Sequence, residues 1–91
     1  MQRLDLKSAR YDPLSDSVLI NGRDCVIEIS HEAVELAARR PIEPEEAVRT
    51  VVEEARRFAL LATRLPPDDG KIHITANMLA NDGVFGEDRE P

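Results

Sequence analysis

Residues 17–30 read SVLINGRDCVIEIS, and this stretch decides the fold. Its centre holds Asn21-Gly22, the dipeptide that best tolerates the two positive φ angles of a tight type I′ turn. Apolar and polar residues alternate on both sides of the dipeptide, as they do in strands that bury one face. The stretch therefore predicts a β-hairpin that turns at Asn21-Gly22.

The predicted turn also sets the register of the hairpin. Ile20 pairs with Arg23, and Val18 lies opposite Cys25. One face then collects apolar side chains and the other collects polar ones. The apolar face holds Val18, Ile20, Cys25, Ile27 and Ile29, and the polar face holds Ser17, Asp24, Glu28 and Ser30. This sorting predicts that Cys25 is buried.

Two helices are predicted after the hairpin. Ser30 is a good N-cap for a helix that begins at His31 and ends before Pro41. Pro44 suits the first position of a second helix, because proline has no N–H to leave unpaired there. Apolar residues recur at three- and four-residue steps and extend this helix to about Arg64.

A short strand is predicted at residues 71–75, where Ile72 and Ile74 alternate with polar residues. The chain is thus expected to be an α+β protein. A β-hairpin and a C-terminal strand form a small antiparallel sheet, which packs against two helices.

The two ends of the chain carry weaker signals. Residues 1–16 fit either a strand or a covering loop, since Leu4 and Leu6 alternate but the following residues read as a loop. We expect residues 1–80 to form one domain. The last stretch, residues 81–91, is rich in acids and glycine and predicts a mobile acidic tail.

Composition excludes some classes of partner. The formal net charge is −6 and the chain has three aromatic residues, so a nucleic-acid surface built on positive charge and base stacking is disfavoured. No apolar run reaches the roughly 20 residues that cross a bilayer, which predicts no membrane partner. The single cysteine suits a reducing compartment, and we expect a cytoplasmic protein.

The pattern of the hairpin and its flanks resembles a known family. Val18-x-Ile20, Gly22 and Ile27-x-Ile29-Ser30-x-Glu32-Ala33-Val34 precede a long helix and a closing Ile72-x-Ile74-Thr75. This pattern is similar to small proteobacterial proteins grouped as domain of unknown function 1488, over residues near 10 to 79. The resemblance implies a small α+β fold in a bacterial cytoplasm and supplies no reaction. Members often carry an aromatic residue where this chain has Ile20, and a cysteine where it has Ile27.

Few residues point to chemistry. His31 and Glu35 lie one helical turn apart, but a structural zinc site needs four ligands, so the pair indicates a polar helix start. His73 is expected on the outward side of its strand, and Cys25 in the core. The sequence therefore predicts no metal, no cofactor and no catalytic residue.

Two sets of residues predict surfaces. Two pairs of bases predict an anion patch if the helices bring them together, and four apolar residues outside the expected core predict self-association. The anion patch comprises Arg39, Arg40, Arg56 and Arg57. The self-association set comprises Leu60, Leu61, Leu19 and Val26.

We therefore expect a non-catalytic bacterial interaction or regulatory module that forms a homodimer or binds another protein. One alternative is a nucleic-acid-associated regulator that uses the paired arginines. A second alternative is a small ligand- or metal-binding protein or enzyme that uses His31, His73 or Cys25.

Overall fold

The computed structural model of the protein describes residues 3–81. It has the α+β fold that the sequence predicts, with four strands and four helices. The strands are β1 (Asp5–Asp12), β2 (Ser17–Asn21), β3 (Val26–Ser30) and β4 (Lys71–Ile74). The helices are α1 (His31–Ala38), α2 (Pro44–Glu53), α3 (Ala55–Thr63) and α4 (Ala76–Asn81). The predicted acidic tail at 81–91 lies outside the described residues, apart from Asn81 at the end of α4.

The strands form one mixed sheet in the order β1-β2-β3-β4. β1, β2 and β3 are antiparallel neighbours, whereas β4 is parallel to β3. The predicted antiparallel sheet is therefore wrong at its last strand. The physical reason is the long connection: α1, α2 and α3 carry the chain back across the sheet, and such a crossover joins parallel strands. The N-terminal segment, which fitted a strand or a loop, supplies the strand β1.

The hairpin of β2 and β3 turns two residues later than predicted. Asn21 pairs with Val26, and residues 22–25 form the loop. The Gly22 N–H donates to the Cys25 carbonyl across this loop (2.8 Å). Neither Asn21 nor Gly22 takes a positive φ angle. The prediction of a type I′ turn at this dipeptide is thus wrong.

The observed register places the core residues of the two strands opposite each other. Ile20 pairs with Ile27, and Val18 pairs with Ile29. The partner of Ile20 moves from the predicted Arg23 to Ile27, an even step along the strand. Because side chains alternate with a period of two, the same residues still face the core.

β1 is irregular where it runs beside the end of β2. Asp5 pairs with Asn21 and Arg10 with Leu19, so β1 carries extra residues between them. Ser8 fills the gap in the ladder, because its Oγ accepts from the Asn21 N–H (2.8 Å) and donates to the Asp5 carbonyl (2.6 Å). A bulge of this kind bends an edge strand and interrupts its pairing.

The hydrophobic core lies between the helices and one face of the sheet, which we call the inner face. Fully buried aliphatic side chains of this size contribute roughly 1.5–3 kcal/mol each. The sheet contributes Val18, Ile20, Ile27, Ile29, Ile72 and Ile74. The helices contribute Ala33, Val34, Ala47, Val51, Phe58, Leu61, Ala62 and Leu79. Since all four helices join this one cluster, none of those within the described chain covers the opposite face.

α4 has no counterpart among the predicted elements, and the other helices follow their local signals with two differences. The Ser30 Oγ accepts from the Ala33 N–H (3.1 Å), which confirms the predicted N-cap of α1. That helix ends at Ala38, because Arg39 takes a left-handed conformation with φ 64°. The predicted second helix is interrupted at Glu54, where ψ is 20°, and becomes α2 and α3. Within the part of the chain that is described, no helix has the length and apolar character needed to cross a membrane.

The turn before β4 is a tight two-residue turn, unlike the longer loop of the β2–β3 hairpin. Asp69 and Gly70 have φ angles of 56° and 77°, and they are flanked by Asp68 and Lys71. The Asp68 N–H donates to the Lys71 carbonyl (2.7 Å), and the Lys71 N–H donates back to the Asp68 carbonyl (3.1 Å). This two-residue turn has the φ signs of type I′, and an Asp-Gly dipeptide favours it.

The hydrogen bonds of that turn also use backbone groups on the free edge of β4. Backbone groups alternate along a strand, so Gly70 and Ile72 face β3 while Lys71 and His73 direct their N–H and C=O groups away from it. Lys71 is already bonded to Asp68. Among the described residues of β4, His73 is left as the one whose backbone groups form the edge.

Candidate functional surfaces

On the outer face of the sheet, two rows of side chains cross all four strands. Each row contains one residue from each strand, because paired residues point to the same side. The first row is Asp5, Asn21, Val26 and Lys71, and the second row is Arg10, Leu19, Glu28 and His73. The outer face therefore combines two half-buried apolar side chains with charges of both signs.

Glu28 organises the β4 side of the outer face. Its Oε1 lies 3.2 Å from the Lys71 Nζ and 3.8 Å from the His73 Nδ1. Its Oε2 accepts from the Ser17 Oγ (3.4 Å). The side chain of Glu28 is only 17% exposed. Its contacts with Lys71, His73 and Ser17 order the polar side chains around the apolar residues Leu19 and Val26.

The predicted self-association set divides between two sides of the molecule. Leu19 and Val26 lie on the outer face of the sheet, whereas Leu60 lies on α3 and is 38% exposed. Leu61 is only 3% exposed and belongs to the core. The prediction that Leu61 contributes to a surface patch is wrong, because the helical phase that turns Leu60 outward turns the next residue inward.

The four arginines do not form one patch. Arg40 pairs with Glu46 near the start of α2 (3.0 Å), and Arg57 pairs with Glu54 after the end of α2 (3.4 Å). Glu46 and Glu54 are eight residues apart along the helix, which separates these pairs by about 12 Å. Arg40 is therefore held near the start of α2 and Arg57 just after its end. The predicted joint anion patch is therefore wrong.

Glu46 is held in its charged form by its surroundings. The Arg40 guanidinium donates to its Oε2 (3.0 Å), and the Glu43 N–H donates to its Oε1 (3.4 Å). The hydrogen bond from Arg40, followed by the one from Glu43, lowers the pKa of Glu46 below its ordinary value. This arrangement closes the N-terminus of α2.

His31 joins α1 to the loop that follows it. Its Nε2 lies 2.9 Å from the Ile42 carbonyl and 3.2 Å from the Glu35 Oε2, and two acceptors at one nitrogen mean that Nε2 carries the proton. Its ring meets the ring of Tyr11 edge-on at 5.9 Å. Its backbone N–H donates to the Asp16 carbonyl (3.0 Å). These contacts indicate a structural role for His31.

The remaining predicted chemical groups do not converge. Across residues 3–81, no group of three or more His, Cys, Asp or Glu side chains is arranged to hold a metal ion. Glu32, which follows His31 in the sequence, is exposed. His73 lies on the outward side of β4, as predicted, about half exposed beside Glu28.

A cleft of about 970 Å³ lies at the end of the sheet. Three distant parts of the chain form it: the segment that leads into β1, the loop between β2 and β3, and the C-terminal end of α3 with the residues after it. Its lining residues are Arg3, Leu4, Asp5, Gly22, Arg23, Asp24, Cys25, Ala62, Thr63, Leu65 and Pro67.

Cys25 belongs to this cleft. It is only half-buried, so the prediction of a buried cysteine is wrong. The later turn places it in the loop, where it packs against the rim of the core instead of inside it. No local signal links residues 3–5 to residues 62–67, and the cleft could not be found from the sequence because it depends on β1 joining the sheet.

Comparison of the chain with protein-family models, curated proteins and solved structures finds no match. The resemblance to domain of unknown function 1488 therefore stays a prediction, and the function rests on the surfaces described above.

Proposed function

We propose that the protein is a non-catalytic interaction module of the bacterial cytoplasm that pairs with a second copy of itself through the outer face of its sheet. One observation carries the proposal: Leu19 and Val26 are diagonal neighbours on a sheet face that no described helix covers. Apolar side chains grouped within a polar rim are typical of interaction surfaces.

The charges on the outer face suit a two-fold pair. A two-fold axis that runs parallel to the strands between β2 and β3 places β1 of one copy over β4 of the other. Asp5 then faces Lys71 of the second copy, since both belong to the first row. In the second row, Arg10 comes within reach of Glu28 of the second copy. Opposite charges meet twice on each side of the axis.

The size of the face indicates a weak dimer. Four strands about 4.8 Å apart, with about five residues each, cover roughly 300 Å² in projection. Protruding side chains make the accessible area of each face larger than its projected area. The accessible area of two such faces approaches the roughly 1,000 Å² that a specific interface buries. We therefore expect dissociation in the micromolar range. The edge of β4 offers little for pairing, because Asp68 already occupies the backbone of Lys71.

Light scattering at tens of micromolar tests the dimer. We expect the wild type to have a dimeric mass and Leu19→Glu to be monomeric, because the new carboxylate would be buried in the interface. Leu60→Glu is the matched control, since Leu60 lies on the opposite side of the molecule. A monomeric wild type would overturn the proposal, and dissociation by Leu60→Glu would place the interface on α3.

A charge exchange tests the geometry of the pair. Asp5→Lys and Lys71→Asp should each weaken the dimer, because each places like charges opposite one another. The double variant Asp5→Lys/Lys71→Asp should restore it. Failure of the double variant to restore a dimer that both single variants weaken would contradict this two-fold arrangement. Circular dichroism of each variant checks that the fold is retained.

A further inference from the structure

His73 lies at the β4 end of the second row on the outer face, where its side chain is about half exposed. Histidine is the side chain whose charge ordinarily changes between about pH 5 and pH 8. The only other histidine of the chain, His31, lies at the start of α1. A proton taken up by His73 therefore adds a positive charge to the outer face itself.

Within one copy, His73 lies beside Glu28 and Lys71. The Glu28 Oε1 is 3.8 Å from the His73 Nδ1, but it is closer to the Lys71 Nζ, at 3.2 Å. The described helices pack on the inner face, so they bring no charge against His73. Because Lys71 already balances the charge of Glu28, a proton on His73 makes this corner of the face positive.

The two-fold pair of the proposed function places a further positive charge opposite His73. Its axis keeps each row over itself and sets β1 over β4, so Arg10 of the second copy faces His73. The Arg10 guanidinium donates to the Ser8 carbonyl (2.7 Å) and to the Asn21 Oδ1 (3.4 Å) of its own copy. Both acceptors are uncharged, so these hydrogen bonds leave the positive charge in place.

Two carboxylates of the second copy flank Arg10, each one row away from His73. Asp5 faces Lys71 in the pair. Asp12 accepts two hydrogen bonds within its own turn, at 3.0 and 3.1 Å. The charge that directly faces His73 across the pair is therefore the guanidinium of Arg10.

We propose that His73 makes the dimer sensitive to pH: the protein pairs when His73 is neutral and separates when His73 is protonated. This inference rests on the two-fold pair of the proposed function. An imidazolium at His73 repels Arg10 of the second copy and competes with it for Glu28. Since the proton favours the monomer, linkage requires the dimer to weaken as the pH falls. Each dimer contains two such positions, which doubles the effect.

The overall charge of the protein predicts the opposite response. The formal net charge is −6 and the isoelectric point is about 4.8, so mild acid reduces the repulsion between two copies. A dimer governed by overall charge would tighten on acidification, whereas protonation of His73 weakens it. The direction of the pH response therefore separates the two causes.

Sedimentation velocity over a dilution series measures the dissociation constant of the dimer at about pH 7.5 and about pH 5.5. We expect the constant of the wild type to rise about tenfold at the lower pH. His73→Gln stays neutral and keeps His31, so its constant should rise by at most about twofold. His73→Lys is charged at both pH values and should pair weakly at both. Circular dichroism at each pH checks that the fold is retained.

The possible failures are distinguishable. A wild type that is monomeric at both pH values would overturn the pair of the proposed function and the pH response with it. A dimer whose dissociation constant is unchanged or falls at the lower pH would overturn the role of His73 and leave the pair standing. An equal rise in the wild type and in His73→Gln, or tight pairing of His73→Lys, would also overturn that role.

Discussion

Two dipeptides of the same kind behave differently in this chain. Asn21-Gly22 and Asp69-Gly70 both favour a type I′ turn, yet only Asp69-Gly70 takes the two positive φ angles that the turn requires. At the first dipeptide, Asn21 is still the last residue of β2, and residues 22–25 form the turn. Local preference therefore decides one turn and is overridden at the other.

The difference lies in what the flanking strands gain. A tight turn at Asn21-Gly22 would pair Ile20 with Arg23, whereas the observed loop pairs it with Ile27. Cross-strand pairs of larger side chains contribute roughly 0.2–1 kcal/mol each relative to an Ala–Ala pair. The turn at Asp69-Gly70 is flanked by a single β-bridge, which pairs Asp68 with Lys71. Since no longer strand pairing extends from this turn, no alternative register competes there.

The largest effect is expected from weakening the pairing that overrides the first turn. Ile27→Ala should destabilise the protein by about 2–5 kcal/mol, because Ile27 is fully buried and its truncation leaves a cavity. Val26→Ala, one residue earlier on the outer face, should cost at most about 1 kcal/mol. Urea unfolding at low protein concentration measures both. Equal losses would contradict the division of β3 into a buried and an outer side.

The two glycines give a smaller and sharper test. Gly70→Ala should cost about 1 kcal/mol, because its φ of 77° is unfavourable for a residue with a Cβ. Nothing lies within 4 Å of the position that the new Cβ would take, so the loss comes from the backbone alone. Gly22→Ala should change stability by less than about 0.5 kcal/mol. A larger loss at Gly22 than at Gly70 would reverse the comparison.

The turn between β1 and β2 adds a third case, in which a side chain holds the turn. The Tyr11 hydroxyl donates to the Asp16 carboxylate, and Asp16 takes a positive φ of 54°. This hydrogen bond, followed by burial and the charges of Asp16 and Asp12, raises the pKa of Tyr11 to about 12. Since the chain has one tyrosine and no tryptophan, ultraviolet absorbance follows this group alone.

We expect phenolate formation at about pH 12 in the folded protein and near pH 10 after unfolding. The raised pKa means that the stabilising contribution is fully present below pH 10 and is lost as the pH rises through about 12. Asp16→Asn should move the Tyr11 pKa toward its ordinary value. Asp12→Asn, the matched control, should move it less. An equal shift in both variants would mean that general charge, and not the hydrogen bond, controls Tyr11.

The helix start at Ser30, the turn at residues 68–71 and the choice of core residues in the hairpin follow from the sequence, because each depends on neighbours in the chain or on a period of two. The parallel pairing of β4 does not, since it depends on how three helices cross the sheet. The interruption at Glu54 has no proline or glycine to signal it.

The candidate surfaces divide in the same way. The outer positions of Leu19 and Val26 follow from strand alternation, which the shifted register leaves intact. The burial of Leu61 beside the exposed Leu60 follows from the helical phase of α3. The cleft at Cys25 depends on contacts between distant segments. The predicted meeting of the arginine pairs also depends on how the helices pack, and the ion pairs of Arg40 and Arg57 lie at opposite ends of α2.

The edge of β4 bears on how the protein behaves at high concentration. An edge strand with a continuous row of unpaired N–H and C=O groups is a template for cross-β aggregation. In β4, the outward backbone N–H and C=O of Lys71 are hydrogen-bonded to Asp68. Of the β4 residues described, His73 alone has outward backbone groups that an incoming strand could pair with. A template one residue long cannot hold another chain in register, so the short turn at Asp69-Gly70 also protects the protein against fibril growth from this edge.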